Sequence, residues 1–308
     1  MSFLKNDDDY IYYQDLIDRF NKIFVRFYFS ASIDGKYLDE LNRSRYDKNN
    51  KYTDDFYNRV FTFCTENGFG FHPMVSAINI DKWIPNFNWY MGEFEKYGIS
   101  SGRIKYLEVR DDNWTDESIS QLLKFLNYEI DWLLEHTYKG NLDHMAYDMK
   151  AFKGNSLTIP DNILLMDRGN RLTCSIQNAV AVRLGDLSIV PCHRTAYPQF
   201  IYGQFKVENN EIIDIEAKNT ELAFKIYTMN PEVAQAYCCN CKYNKLCIRG
   251  CLGVQYEYNN NLFIPCKSVC KMIKAKTDFL INKYSSLGIL DKCCHSAALE
   301  TIQEDILA

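Results

Sequence analysis

Eleven of the twelve cysteines lie at or beyond residue 174. Their core runs Cys238-x2-Cys241-x5-Cys247-x3-Cys251; Cys266-x3-Cys270 follows after fourteen residues, and Cys174 and Cys192 stand upstream. A C-x2-C turn lets two thiolates converge on one metal centre, and such soft ligands suit zinc or an iron–sulfur cluster. Structural zinc commonly takes two closely spaced pairs. Here the second pair is split by the x5 and x3 spacers, and there are more thiols than one tetrahedral zinc can use. The spacing favours iron–sulfur, with zinc and a metal-free group of thiols left open.

How the thiols are read depends on where the chain resides. The start, MSFLKNDDDYIYY, has neither the apolar core nor the basic flank of a signal peptide, and no stretch reaches the length of a membrane span. A cytoplasmic protein is expected, in which clustered cysteines hold metal rather than form disulfides. The net charge of −5, with no Lys/Arg stripe, gives no footprint for nucleic acid. Cys64, in VFTFCTENG, reads as a buried structural thiol. Cys293-Cys294-His295 has metal-ligating residue types but reads as a disordered tail near the chain end. Lys242, Lys245 and Arg249 lie among the central cysteines, either as tuning cations or as solvated loop charges.

The elements that must position these residues follow from periodicity. Helices are expected over 10–23, over 51–68 with Thr53 or Asp54 as N-cap and Gly68 past the end, over 86–98, and from Thr115 through Leu133. Strands are expected over 24–35, 69–80 and 103–110. That alternation implies βαβ units with parallel strands. Residues 139–173 read as a loop-rich linker. Beyond it, 175–192 reads as a hairpin around Leu184-Gly185-Asp186, with more β-like sequence to Ile215. A helix over 221–237 broken by Pro231 and an amphipathic helix over 267–284 complete the pattern.

The order Cys174, Gly185, Cys192, then C-x2-C-x5-C-x3-C, then a late cysteine, resembles the SPASM domain of radical S-adenosylmethionine (SAM) enzymes. That family includes anaerobic sulfatase-maturating enzymes and maturases of ribosomally made peptides. Its usual glycine stands four residues before the second cysteine, not six as here. FSASIDG (29–35), with Arg43 or Arg45 after it, is similar to the strand-four segment of the family's partial (β/α)6 barrel. SAINID (76–81) and EVRDDNW (108–114) stand where strands five and six would end.

The resemblance implies an α/β plus α+β fold. Its divisions would be a half-barrel over 1–138, a linker over 139–173, a SPASM domain over 174–288 and a tail over 289–308. It implies two auxiliary [4Fe–4S] clusters for electron transfer or substrate binding during peptide or protein modification. Cys238, Cys241, Cys247 and a late cysteine, Cys266 in preference to Cys270, would hold the distal one. Cys174, Cys192 and Cys251 would hold the proximal one, with one iron site left open. His193 stands where sulfatase-maturating relatives carry an acidic general base; a surface histidine is the alternative. Asp34 and Gly35 would shape the barrel mouth near the cofactor, or form a plain turn. The family's C-x3-C-x2-C loop does not occur in the sequence. SAM cleavage is therefore expected only if the missing barrel half is supplied, as by a barrel-completing partner chain. A split electron-transfer subunit and a zinc-binding interaction protein are the other readings.

Overall fold

The computed structural model describes residues 4–23, 30, 31, 33–42, 52–104, 106–108, 113–151, 156–160, 176, 180–183, 185–228, 236–247 and 251–306. Arg43, Arg45, Pro231, Arg249, Leu184 and most of the expected strand over 24–35 lie outside the described residues, as does Cys174. The chain divides into two compact units, 1–158 and 159–308. The division falls within the expected linker.

In the first unit, helix α1 (Asp7–Lys22) begins three residues before the predicted start. The side chain of Asn6 caps it by accepting from the Asp9 amide at 2.8 Å. Asp7, Asp8 and Asp9 then occupy the first turn, where the helix dipole favours negative charge. A short helix α2 (Asp39–Asn42) precedes α3 (Asp54–Asn67), capped by Thr53 and ended by Gly68 in the left-handed region at φ 68°. Helix α4 (Trp83–Tyr97) buries Phe87, Tyr90, Met91 and Phe94 on one face, and also Trp83, ahead of the predicted start. Helix α5 (Asp116–Trp132) starts from a Thr115–Ser118 capping box and passes into a π-turn (Leu133–Thr137).

Four short strands pair in parallel. β1 (Ser30–Ala31) pairs with β2 (Gly70–Phe71), and β3 (Met74–Val75) pairs with β4 (Leu107–Glu108). The single strand expected over 69–80 is thus two pieces with different partners. Pro73, which has no N–H to donate to a ladder, lies between them. Helix α6 (Leu142–Ala151) is a further departure, because it lies inside the segment expected to be a linker. Met145, Ala146 and Met149 bury one side of it, and the Asn141 side chain accepts from the His144 amide at 3.0 Å as its cap.

The turn after β1 is the best-anchored piece of this unit. Asp34 is 1% exposed and its carboxylate accepts from the Met74 amide at 2.8 Å. The Asp39 carboxylate accepts from the Asp34 and Gly35 amides at 2.7 and 3.1 Å and from the Tyr57 hydroxyl at 2.9 Å. The Asn86 amide donates to the Asp34 carbonyl at 2.8 Å. Gly35 has φ 113°, and a Cβ there would stand 2.3 Å from Asn86 Oδ1, so only glycine fits.

The second unit carries an antiparallel sheet in the order β5 (Ala181–Val182), β6 (Ser188–Val190), β7 (Gly203–Glu208), β8 (Glu211–Ala217). β5 and β6 form the predicted hairpin, in which Asp186 accepts from the Ser188 amide at 3.1 Å. Asn209 and Asn210, both at positive φ, join β7 to β8 in a two-residue turn. Helix α7 (Thr220–Tyr227) ends at Thr228, the last described residue before Pro231. Helices α8 (Leu252–Asn259) and α9 (Lys267–Ser286) follow the cysteine loop.

The chain end is not the disordered tail that its position suggests. It forms helices α10 (Leu290–Cys293) and α11 (Ser296–Thr301) and a closing π-turn (Ile302–Ile306). Ile289, Cys293, Cys294, Ala298 and Ile302 are each at most 3% exposed, an apolar face spread thinly over polar sequence. Among the described residues, no helix is long and apolar enough to cross a membrane.

Burial pushes Asp39 up from 3.8 to about 6, against the lowering effect of the hydrogen bonds it accepts. A carboxyl with a raised folded-state pKa favours folding in its protonated form. Its contribution is full below about pH 4 and is lost as pH rises through about 6. At ~1.4 kcal/mol for each tenfold change in proton affinity, the loss is about 3 kcal/mol. Urea unfolding of wild type and Asp39→Asn between pH 4 and 7 checks this. The stability of wild type relative to the variant should fall as pH rises, and parallel profiles would show that Asp39 does not titrate in this window.

Candidate metal centre

The cysteine loop opens with a one-turn 3-10 segment (Ala236–Cys238) and contains a second (Asn244–Leu246). Between them the Cys241 amide donates to the Cys238 carbonyl at 3.0 Å and the Asn244 amide to the Cys241 carbonyl at 2.8 Å. These bonds form the tight C-x2-C turn that the spacing predicts. Leu246, 0% exposed, anchors the loop, and helix α11 lies against the Asn244–Leu246 turn. Tyr243 is buried beside Cys241 and donates its hydroxyl to both carboxylate oxygens of Asp278 on α9, each at 2.7 Å. The ammonium groups of Lys242 and Lys274 sit 5.3 and 5.7 Å from the centre of its ring.

Helix α9 completes this arrangement. The Cys270 thiol, in the first turn of α9, is pushed up to about 11. Burial is the main cause, followed by the Cys247 and Cys238 thiols; Lys274 pulls the other way, and Cys241 adds a smaller upward push. Four thiols therefore share one neighbourhood: Cys238, Cys241, Cys247 and Cys270. Cys266, preferred by the sequence as partner of the first three, feels a different thiol. Its thiol is raised by burial first, then by Cys251 and Glu257. Cys266 is the N-cap of α9 with extended backbone (φ −72°, ψ 121°), and its carbonyl accepts from the Cys270 amide at 2.9 Å.

The second neighbourhood is built on the hairpin. Cys192 follows β6, caps the short turn His193–Thr195, and accepts from the Thr195 hydroxyl at 3.4 Å. It packs against a buried cluster of Ile176, Ile226 and Leu252. Leu252 is the first residue of α8, whose N-cap is Cys251. The next residue, Gly253, meets Arg194 so closely that a Cβ there would lie 2.5 Å from the Arg194 Cβ. One turn further along α8, Glu257 accepts from Arg194 at 2.6 Å and from the Tyr197 hydroxyl at 3.0 Å. The docking of residues 192–200 on α8 thus sets Cys192 against the cluster that includes Leu252, the residue after Cys251. Ile176 shares that cluster and follows Cys174 by two residues; Cys174 itself lies outside the described residues.

The remaining residues fall outside both neighbourhoods. The Cys239 thiol donates to the Ala236 carbonyl at 3.1 Å and is exposed, as expected of a bystander. His193 is exposed at the first position of its turn. Asp34 and Gly35 belong to the anchored turn in the first unit, with hydrogen bonds to neighbouring segments. Cys64 is 0% exposed on α3. The burial of Cys293 and Cys294 was missed by sequence reasoning, and a weak i, i+4 apolar pattern from Ile289 to Cys293 is the signal that marks it.

Among the described residues, no three His, Cys, Asp or Glu side chains already close on one point at metal-binding separation. None of the described cysteines is paired in a disulfide. The donor set nonetheless fits a thiolate-ligated metal group. Four half-buried thiols come from one tight loop and the adjoining helix turn, and at Cys270 burial favours the neutral form until a metal displaces the proton.

No family model matches the chain, and no curated protein matches it by sequence. The fold does have solved counterparts. Native anSMEcpe with bound AdoMet is 14% identical, with a TM-score of 0.54 over 93% of this chain and 72% of that one. Native anSMEcpe with bound AdoMet and Cp18Cys peptide is 14% identical, with a TM-score of 0.50 over 93% of this chain and 74% of that one. anSMEcpe is an anaerobic sulfatase-maturating enzyme of the radical SAM/SPASM type. This chain therefore shares the fold of those structures, with mixed helices and sheets.

The Gly253–Arg194 contact tests the second neighbourhood. Gly253→Ala forces backbone and side chain apart in a packed region, at a cost of ~1–3 kcal/mol. Urea unfolding should show that loss, and an unchanged midpoint would mean that residues 192–200 do not dock on α8 as described.

Proposed function

We propose that this chain is the cluster-bearing part of a radical-SAM-type maturase that modifies a peptide or protein, with two auxiliary [4Fe–4S] clusters in residues 174–288. The observation that carries the reading is the division of the late thiols into two neighbourhoods. In it, Cys238, Cys241, Cys247 and Cys270 hold the distal cluster, and Cys174, Cys192 and Cys251 hold the proximal one. The radical-SAM-like fold supports the maturase class, and a like-folded structure that holds a peptide supports a peptide substrate.

Bound clusters of this kind supply reversible one-electron transfer. The chain's own residues set the terms. Lys274 lies near the Cys270 thiol, whereas Glu257 lies near that of Cys266. A nearby cation favours the reduced, more negative state of a cluster and a nearby anion disfavours it. With clusters bound, Lys274 would favour the reduced state of the distal one. His193, exposed beside Cys192, acts as the proton acceptor facing substrate, an imidazole suited to that work near neutral pH. Asp34 and Gly35 shape the mouth after β1. AdoMet cleavage requires a C-x3-C-x2-C loop from further sequence or from a barrel-completing partner chain.

Metal analysis after anaerobic purification tests the reading. Two cubane clusters give a brown protein with about eight irons and matching acid-labile sulfide. A colourless protein with stoichiometric zinc would falsify it.

A further inference from the structure

Between residues 233 and 277 stand seven lysines and arginines against a single acid, Glu257, in a chain whose net charge is −5. Glu257 is already paired with Arg194. Among the described residues of this stretch, Lys242, Lys245, Lys267, Lys271 and Lys274 are exposed. We infer that these five lysines form the docking surface for a small acidic protein that carries single electrons to or from the distal cluster. The inference rests on the two-cluster reading and adds to it the class of partner with which this chain exchanges electrons.

Two segments bring the lysines to one surface. On α9, Lys267, Lys271 and Lys274 follow one another at i, i+4 and i+7, which places them along one helical face. Lys242 and Lys245 come from the cysteine loop, and Tyr243 ties that loop to α9. The Lys242 and Lys274 ammonium groups sit 5.3 and 5.7 Å from the centre of the Tyr243 ring, so loop and helix place a cation beside the same side chain. Asp278, the carboxylate further along that face, is engaged by the Tyr243 hydroxyl at 2.7 Å.

The thiols lie within this surface. Cys270 stands on α9 between Lys267 and Lys274, and Lys274 is near enough to act on its thiol. Cys241, Cys247 and Cys270 are half-buried and Cys239 is exposed, so a metal group held there is close to the surface. Electron transfer weakens steeply with distance, and a carrier seated on the lysines is therefore well placed for it. Complementary charge speeds encounter and orients the partner. Transient electron-transfer complexes bury less than about 1,200 Å², an area within the reach of one helix face and one loop. Nucleic acid, the other polyanion, would meet a chain whose overall charge is negative. In the docked pair one electron leaves the reduced partner and enters the oxidised one, with no bond made or broken.

The test uses the full chain purified anaerobically, with a plant-type [2Fe–2S] ferredoxin, a small acidic carrier, as the probe. Wild type without iron overturns the two-cluster reading and this inference with it. Iron-loaded wild type that neither binds ferredoxin nor exchanges electrons with it overturns the inference alone. The expected result is binding that weakens as salt rises above ~0.1 M, where charges are screened beyond about 10 Å. Reduced protein mixed with oxidised partner, in one direction or the other, should then show rapid one-electron transfer. The triple variant Lys245→Glu, Lys267→Glu, Lys271→Glu should keep its iron and slow association by at least about tenfold at low salt. Arginine at the same three positions keeps the charge and should keep the wild-type rate. Lys206→Glu, on the β7–β8 hairpin, should have no effect. The inference is overturned if the triple glutamate variant behaves as wild type, if Lys206→Glu slows association as much, or if single-stranded RNA binds through these lysines and ferredoxin does not.

Discussion

The close approach of Gly253 to Arg194 is the contact on which the thiol arrangement depends. A side chain at 253 would occupy the space where the Arg194 backbone and Cβ lie. With glycine there, the segment after β6 lies along α8, and Arg194, Tyr197 and Gln199 contact Glu257 and Tyr256. Cys192 comes from a sheet and Cys251 from a loop-to-helix junction. Cys192 packs on the cluster that includes Leu252, the residue after Cys251, because α8 lies where it does.

Helix starts do much of the positioning. Cys251 and Cys266 cap α8 and α9, and Cys270 stands one turn into α9. Partial positive charge at a helix start favours thiolate, while burial opposes it and prevails in the metal-free chain at Cys266 and Cys270. The protons are therefore held until a metal displaces them, which couples loading to the local fold. Lys274 stands beside one neighbourhood and the Arg194–Glu257 ion pair beside the other, so their electrostatic settings differ although both are built of thiols.

Much of this was legible in the sequence, for physical reasons that can be named. The caps at Thr53 and Thr115, the stops at Gly68 and Gly98, and the apolar face of α4 are local signals, and the structure has them. The C-x2-C turn is likewise local. What failed depended on long-range packing. The strand expected over 69–80 splits because β2 and β3 pair with different strands. Helix α6 and the closing helices α10 and α11 are too short and too polar for periodicity to reveal their buried faces. Spacing leaves Cys266 and Cys270 both open, since both follow Cys251 at workable distances.

The central claim is that the late cysteines form two separate sites. Paramagnetic resonance of the reduced, cluster-loaded protein, wild type against Cys247→Ala, tests it most directly. Two sites predict that the variant loses one of two signals and about half of its iron, with the other signal unaltered. Loss of both signals together, or of neither, would contradict the account.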